Sequence, residues 1–119
     1  MNRFKLYHNP RCSKSRQALE LLQNHGINPV IIEYLKAPLS LEELQQLQAH
    51  FDLKDFVRYD EPIFQKLNLT LENEGQVLAA MEKNPILMQR PIVTYANRAV
   101  IGRPPEKILA LINTIKNAI

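Results

Sequence analysis

Residues 4–32 read FKLYHNPRCSKSRQALELLQNHGINPVII, and this stretch decides the fold. Residues 4–7 are short, apolar and aromatic, which predicts a strand. A helix follows from Lys14, because apolar residues recur at the spacing of one helix face: Ala18, Leu21 and Leu22. Gly26 is a typical residue to end that helix. Residues 30–32 predict a second strand, and their unbroken apolar character indicates burial on both faces. Strand, helix and strand over some thirty residues form a βαβ unit with parallel strands.

The remainder of the chain predicts a helical insertion followed by a hairpin and a last helix. Residues 40–84 contain three or four short helices, the first opened by a capping box at Ser40. Residues 91–95 and 99–101 are two strands joined by a turn at residues 96–98. The last helix starts at Pro105 or Glu106 and has one apolar face: Ile108, Leu111, Ile112 and Ile115. This order predicts an α/β protein, one domain over residues 1–119, with a mixed four-stranded sheet arranged as in thioredoxin.

Composition excludes several classes of protein. The chain has 119 residues and a net charge of +3, which is too small an excess to indicate nucleic acid. Its single cysteine excludes an internal disulfide framework and a cysteine-rich zinc site. The three histidines show no metal-ligand spacing, and no nucleotide-binding glycine pattern occurs. There is no signal-peptide pattern and no long apolar run. We therefore expect a cytoplasmic protein that binds neither membrane nor nucleic acid.

Cys12 is the main candidate for chemistry. Its place before a helix favours an anion, because the helix dipole and free N–H groups stabilise negative charge there. The thiolate is the reactive form of cysteine. A buried structural cysteine is the alternative, but the polar neighbours Asn9, Arg11 and Lys14 argue against a core position. Ser15 stands three residues later, where a redox motif carries its second cysteine, so an outside thiol must resolve any covalent adduct.

Two residues of the same loop are further candidates. Arg16 lies one helical turn from Cys12 on the same face, and its fork of donors suits a tetrahedral oxyanion. It is equally compatible with a solvated surface charge. His8 precedes the thiol by four residues and either favours the thiolate or merely ends the strand.

Three arginines far along the chain complete the candidates. Arg90 precedes Pro91 at the start of a strand. The peptide bond before a proline is where cis bonds occur, and a cis-Pro91 would hold a backbone edge opposite Cys12. Arg58 and Arg103 lie in irregular segments, where function concentrates. By spacing alone, each is more typical of a surface charge than of a ligand.

Taken together, these segments resemble the glutaredoxin-linked, glutathione-dependent arsenate reductases of thioredoxin-like fold. Residues 7–16, YHNPRCSKSR, resemble the family's active-site segment with its His-X3-Cys-X3-Arg spacing. Residues 84–87 and 90–93 are similar to its cis-proline segment, and residues 101–106 to the segment of its last arginine. The similarity runs from about residue 4 to residue 115.

The resemblance implies a role for each matching residue. Cys12 would attack arsenic, while His8 and Ser15 would help to keep it ionised. Arg58, Arg90 and Arg103 would bind the oxyanion, although Asp60 and Glu61 offer Arg58 other partners. Lys14 replaces a small residue of some members, which bears on the range of substrates.

The implied reaction is reduction of arsenate to arsenite by a monomer. Glutathione would be the co-substrate and glutaredoxin the protein partner, with no metal and no tightly bound cofactor. Two alternatives stay open on the same fold. One is a glutathione-dependent thiol-disulfide reductase. The other is a regulator of RNA polymerase like the Spx proteins, although those carry a second cysteine where this chain has Ser15.

Overall fold

The computed structural model describes residues 3–117, and its contacts divide into two compact units. One unit contains the residues up to Glu33 and those from Arg90 onward, and the other is Tyr34–Gln89. We call them the sheet unit and the helical unit. The ends of the predicted 1–119 domain, residues 1, 2, 118 and 119, lie outside the described residues, and the prediction of one domain stays a prediction. Within residues 3–117, none of the helices has the length and apolar character needed to cross a membrane.

The described part of the sheet unit contains one mixed sheet of four strands. They are β1 (Lys5–Tyr7), β2 (Val30–Ile32), β3 (Ile92–Tyr95) and β4 (Arg98–Ile101), in the order β2-β1-β3-β4. β1 pairs with β2 in parallel and with β3 antiparallel, and β3 and β4 form an antiparallel hairpin. The predicted βαβ and ββα orders are therefore confirmed.

Two details of the strands differ from the prediction. β2 lies at one edge of the sheet, and Ile31 is 40% exposed, so the prediction of burial on both faces is wrong. An apolar run does not reveal strand order, and an edge strand is only partly covered by neighbouring elements. Arg98 was assigned to the turn but pairs with Tyr95, since the turn uses only two residues and Ala96 adopts a φ of +55°.

Two helices cover one face of this sheet. α1 (Ser13–Asn24) has Cys12 as its N-cap residue and is terminated by Gly26, whose φ of +76° is the left-handed conformation expected of a terminating glycine. α6 (Ile108–Asn117) follows a 3-10 turn at Pro105–Lys107. Their apolar faces meet the sheet in one buried cluster: Phe4, Leu6, Ala18, Leu22, Val93, Ile108, Leu111 and Ile112. This cluster fixes the loop between β1 and α1 on a packed base.

The helical unit contains the predicted insertion. Its four helices are α2 (Leu41–Gln48), α3 (Leu53–Phe56), α4 (Pro62–Lys66) and α5 (Glu74–Lys83), followed by a 3-10 turn at Pro85–Leu87. The capping box is confirmed, because the Glu43 N–H donates to Ser40 Oγ and the Ser40 N–H donates to Glu43 Oε1, each at 3.2 Å. This pair satisfies donors that the first turn of a helix leaves open.

Candidate active site

Cys12 is the N-cap residue of α1. Its backbone is extended, with φ −91° and ψ 122°, and its N–H donates to the Asn9 carbonyl at 2.9 Å. An N-cap side chain faces the free N–H groups of the first helical turn, which normally bond a serine or aspartate oxygen. The sulfur makes no capping hydrogen bond in this geometry. It lies close enough to the N–H groups of Lys14 and Ser15 for them to favour its anionic form.

The pKa of Cys12 lies below the ordinary value of a thiol. Burial is the largest single influence and raises the pKa, because a partly enclosed site disfavours charge. The backbone N–H of Ser15, the guanidinium of Arg90, the backbone N–H of Lys14 and the guanidinium of Arg103 lower it, and together they outweigh burial. The site therefore holds a larger fraction of thiolate at neutral pH than an ordinary cysteine does.

Arg90 and Arg103 both lie at the open end of the hairpin, one beside each strand. Arg90 precedes β3, and Arg103 follows β4 after one glycine. Arg103 Nη1 donates to the Arg90 carbonyl oxygen at 3.1 Å. The Arg90–Pro91 peptide bond is cis, as expected, and the Arg103–Pro104 bond is also cis, which the sequence did not predict. Two of the predicted arginines thus act on Cys12.

His8 and Ser15 form a buried polar pair beneath the loop. His8 is 6% exposed and Ser15 is fully buried. His8 Nδ1 and Ser15 Oγ are hydrogen-bonded at 2.6 Å, and the Asn9 N–H donates to the same Oγ at 3.0 Å. Through this pair the first turn of α1 is tied to the end of β1. Ser15 thus acts on Cys12 through its backbone N–H, while its hydroxyl bonds His8 and Asn9.

The pKa of His8 is lowered, chiefly by burial and to a smaller extent by the charge of Arg16, while Glu33 opposes the shift. A neutral imidazole is therefore the form present at neutral pH. A neutral ring can exchange one hydrogen bond with a hydroxyl at Nδ1, with the tautomer set by that bond. His8 thus bonds the side chain of Ser15, and its predicted role in keeping Cys12 ionised stays a prediction.

The side chain of Arg16 lies along the loop. Its Nη1 donates to the Pro10 carbonyl oxygen at 3.0 Å, and its backbone N–H donates to the Cys12 carbonyl at 3.0 Å. The residue is exposed. This guanidinium braces the loop that carries the thiol, and its predicted contact with an oxyanion stays a prediction.

Arg58 belongs to the helical unit. Its guanidinium forms a salt bridge with Glu61, and its Nη1 donates to the Ile86 carbonyl oxygen at 3.3 Å. Its backbone N–H donates to the Leu87 carbonyl oxygen at 2.7 Å. Glu61 is thus one of the two acidic neighbours that the sequence offered as a partner. The predicted role of Arg58 as a substrate ligand stays a prediction.

Comparison with known proteins places this arrangement in a family. The profile of the ArsC family matches residues 7–111, which include Cys12, Arg90, Arg103 and the two cis prolines. The chain belongs to the ArsC family. It is 38% identical over 112 residues to an arsenate reductase of Haemophilus influenzae, covering 90% of this chain and 97% of that protein. It is also 40% identical over 113 residues to the uncharacterized protein YfgD of Escherichia coli, covering 91% and 95%.

A solved structure confirms the fold of this ArsC-family chain. The arsenate reductase from Vibrio cholerae superposes with a TM-score of 0.83 at 39% identity, covering 90% of this chain and 95% of that one. The thioredoxin-like fold with a mixed four-stranded sheet is therefore confirmed.

The N–H groups of Lys14 and Ser15 that lower the pKa of the thiol are the free helical N–H groups predicted from the place of Cys12 before a helix. One contributor to this ArsC-family site was not predicted. Asn9 organises the loop, because its Oδ1 accepts the Arg11 N–H at 3.0 Å and its carbonyl accepts the Cys12 N–H. Asn-Pro is a known turn signal, so this contribution had a visible cue.

Proposed function

We propose that this ArsC-family protein reduces arsenate to arsenite, with Cys12 as the nucleophile and with glutathione and glutaredoxin as electron donors. One observation supports the proposal above all. The thiol of Cys12 lies at the N-terminus of α1, where the guanidinium groups of Arg90 and Arg103 lower its pKa. These groups favour a thiolate and can equally bind an oxyanion beside it. We further propose that the protein works in the cytoplasm as a monomer.

In the first step the Cys12 thiolate attacks arsenic and forms a sulfur–arsenic bond. One arsenic–oxygen bond breaks, and the oxygen leaves as hydroxide, which takes a proton to become water. Negative charge on the remaining oxygens is stabilised by Arg90 and Arg103. Charged donors already aimed at such oxygens lower the barrier without rearranging during the reaction.

In the second step glutathione attacks the adduct. Reduction of arsenic from the +5 to the +3 state takes two electrons, and two thiols supply them when Cys12 and glutathione become joined in a mixed disulfide. Arsenite leaves. The thiolate of glutaredoxin then attacks the glutathione sulfur of the mixed disulfide, which moves glutathione onto glutaredoxin as a new mixed disulfide and releases the Cys12 thiolate. A second glutathione reduces glutaredoxin and leaves as oxidised glutathione. An outside thiol is required, because the chain contains a single cysteine.

The two other predicted arginines, Arg16 and Arg58, have separate roles in the proposed reaction. Arg16 braces the thiol loop by its bond to the Pro10 carbonyl. Arg58 would have to exchange its salt bridge with Glu61 for a bond to the oxyanion. We propose Arg90 and Arg103 as the principal ligands, with Arg58 and Arg16 in auxiliary roles.

A coupled assay tests the proposal. Purified protein is mixed with arsenate, glutathione, glutaredoxin, glutathione reductase and NADPH, and both NADPH oxidation and arsenite are measured. Arsenate-dependent oxidation is expected for the natural chain and is absent for Cys12→Ser, in which serine keeps a good N-cap residue. No arsenate-dependent turnover by the folded natural protein would overturn the proposal. Turnover of a glutathione mixed disulfide instead would favour a thiol-disulfide reductase.

A further inference from the structure

Gly102 is a buried residue that connects β4 to Arg103. A Cβ at this position would lie 2.8 Å from Ile108 Cδ1 and 3.1 Å from Pro91 Cγ. Non-bonded carbon atoms pack at about 3.5–4.0 Å, so a methyl group does not fit without movement. Gly26 differs, because its φ is positive and nothing lies within 4 Å of its Cβ position. Gly102 is thus required by lack of space and not by backbone conformation.

This close approach aligns two pairs of consecutive residues. The Gly102 N–H donates to the Pro91 carbonyl oxygen at 2.9 Å. The next residue, Arg103, donates from Nη1 to the Arg90 carbonyl oxygen. The two bonds continue the pairing of β3 with β4 beyond its last pair, Ile92 with Ile101. A displacement of Gly102 from Pro91 would therefore move Arg103 relative to Arg90.

Both arginines act on the sulfur of Cys12. Because the interaction between charges falls with distance, small changes in their positions change the stability of the thiolate. We propose that Gly102 is a positioning residue of the thiol site, since its missing side chain lets the Gly102–Arg103 segment close on Arg90–Pro91 and thereby fixes the Arg103 guanidinium against the Arg90 backbone beside Cys12. The expected effect on substrate rests on the proposed function, whereas the effect on the thiol does not.

The two crowded neighbours differ in how far they can yield. Ile108 Cδ1 is the end of a side chain, but the residue is fully buried in the cluster under the sheet. Pro91 Cγ belongs to a rigid ring, and the carbonyl oxygen of Pro91 accepts a hydrogen bond from the Gly102 N–H. Ile108→Val removes Cδ1 and thereby the tightest contact, while the contacts with Pro91 Cγ at 3.1 Å and with Ile108 Cγ1 at 3.3 Å remain. A methyl group at position 102 should then be partly accommodated.

The test compares Gly102→Ala, Ile108→Val and the double variant with the natural chain. Gly75→Ala is the matched control, because nothing lies within 4 Å of its Cβ position. The first measurement is the rate of alkylation of Cys12 by iodoacetamide as a function of pH. The single cysteine makes this signal unambiguous. The second is KM and kcat for arsenate in the coupled assay.

Gly102→Ala is expected to slow alkylation at pH 7 by at least about twofold, because the fraction of thiolate falls. It should raise KM for arsenate several-fold and change kcat by a much smaller factor. Ile108→Val and Gly75→Ala should alkylate like the natural chain, and the double variant should lie between the natural chain and Gly102→Ala.

A folded Gly102→Ala variant with the natural alkylation profile would overturn the proposal, even if its melting temperature falls. If Gly102→Ala does not fold, the double variant is judged by the same criterion. If the natural chain does not reduce arsenate, only the proposed function fails, and the alkylation profiles still decide the role of Gly102.

Discussion

Arg103 donates a hydrogen bond from Nη1 to the backbone carbonyl of Arg90, 3.1 Å away, so one arginine of the thiol site is fastened to the backbone of the other. A guanidinium has five N–H donors, and this bond uses only one of them. A side chain that is already held loses less freedom when it binds a ligand. In the proposed reaction, the Arg103 side chain is therefore already held in place when the oxyanion arrives.

We expect Arg103→Ala and Arg90→Ala to raise KM for arsenate by roughly 10- to 100-fold, since a hydrogen bond to a charged group contributes about 1.5–3 kcal/mol. Alkylation of Cys12 should slow at neutral pH in both variants, because each arginine lowers the pKa of the thiol. Steady-state kinetics and iodoacetamide labelling measure the two effects. Arg98→Ala, at an exposed position of β4, is the control. An unchanged KM in both variants would mean that neither Arg90 nor Arg103 binds the substrate.

Ser15→Ala should destabilise the protein by about 1–3 kcal/mol, because it leaves His8 Nδ1 and the Asn9 N–H without their buried partner. Urea denaturation measures the change in the free energy of unfolding. Ser13→Ala replaces an exposed serine in the same helical turn, and it should stay within about 0.5 kcal/mol of the natural chain. Equal stability of the two variants would show that the buried bonds contribute nothing.

His8 predicts a loss of stability in mild acid. Its folded pKa is lowered by burial, so the unfolded chain binds a proton more readily than the folded one. Stability is complete above the unfolded pKa, about 6.5, and falls as the pH drops from there towards the folded value. Denaturation of the natural chain between roughly pH 5 and 7.5 should show this slope.

The slope should be smaller in His8→Asn, which does not titrate there. His50→Asn, at an exposed position, should keep it. Parallel pH profiles for the natural chain and His8→Asn would contradict the assignment of this titration to His8.

Cys12 predicts a change of the same sign as His8, with stability rising as the pH rises. Its folded pKa is lowered, because the N–H groups and the two arginines outweigh burial. The thiolate therefore contributes stability that is complete above the unfolded pKa, about 8.5, and is lost as the pH falls through the folded value. The difference in free energy of unfolding between the natural chain and Cys12→Ser should shift in favour of the natural chain as the pH rises across that window. A constant difference would mean that the folded protein does not stabilise the thiolate.

Local patterns predicted most of the fold. The spacing of Ala18 and Leu22 predicted α1, and Gly26 predicted its end. The capping box at Ser40 predicted the start of α2. The failure at Ile31 has a physical cause. Whether an apolar strand lies at the centre or the edge of a sheet depends on strands that follow some sixty residues later, and β3 takes the inner place beside β1.

The site was predicted less completely than the fold. Cys12 was found from its polar loop and helix start, and Pro91 from its dipeptide. Arg103 looked like a surface charge, because its bond to the Arg90 carbonyl joins residues 13 apart. Arg16 has the predicted spacing on the thiol face, and its contact with an oxyanion stays a prediction. Its bond to the Pro10 carbonyl oxygen was not predicted, because bonds to nearby carbonyl groups are invisible in a pattern of residue types.

Position 15 carries a hydroxyl that bonds His8 and Asn9, and in the proposed reaction the missing second thiol has a kinetic consequence. A second thiol at that position would attack at the very high effective concentration of groups in one chain. Here a sulfur joined to Cys12 has to wait for a thiol that diffuses in. The lifetime of any covalent adduct should then be inversely proportional to the outside thiol concentration. The concentration of small thiols around the protein would therefore set the rate of the cycle.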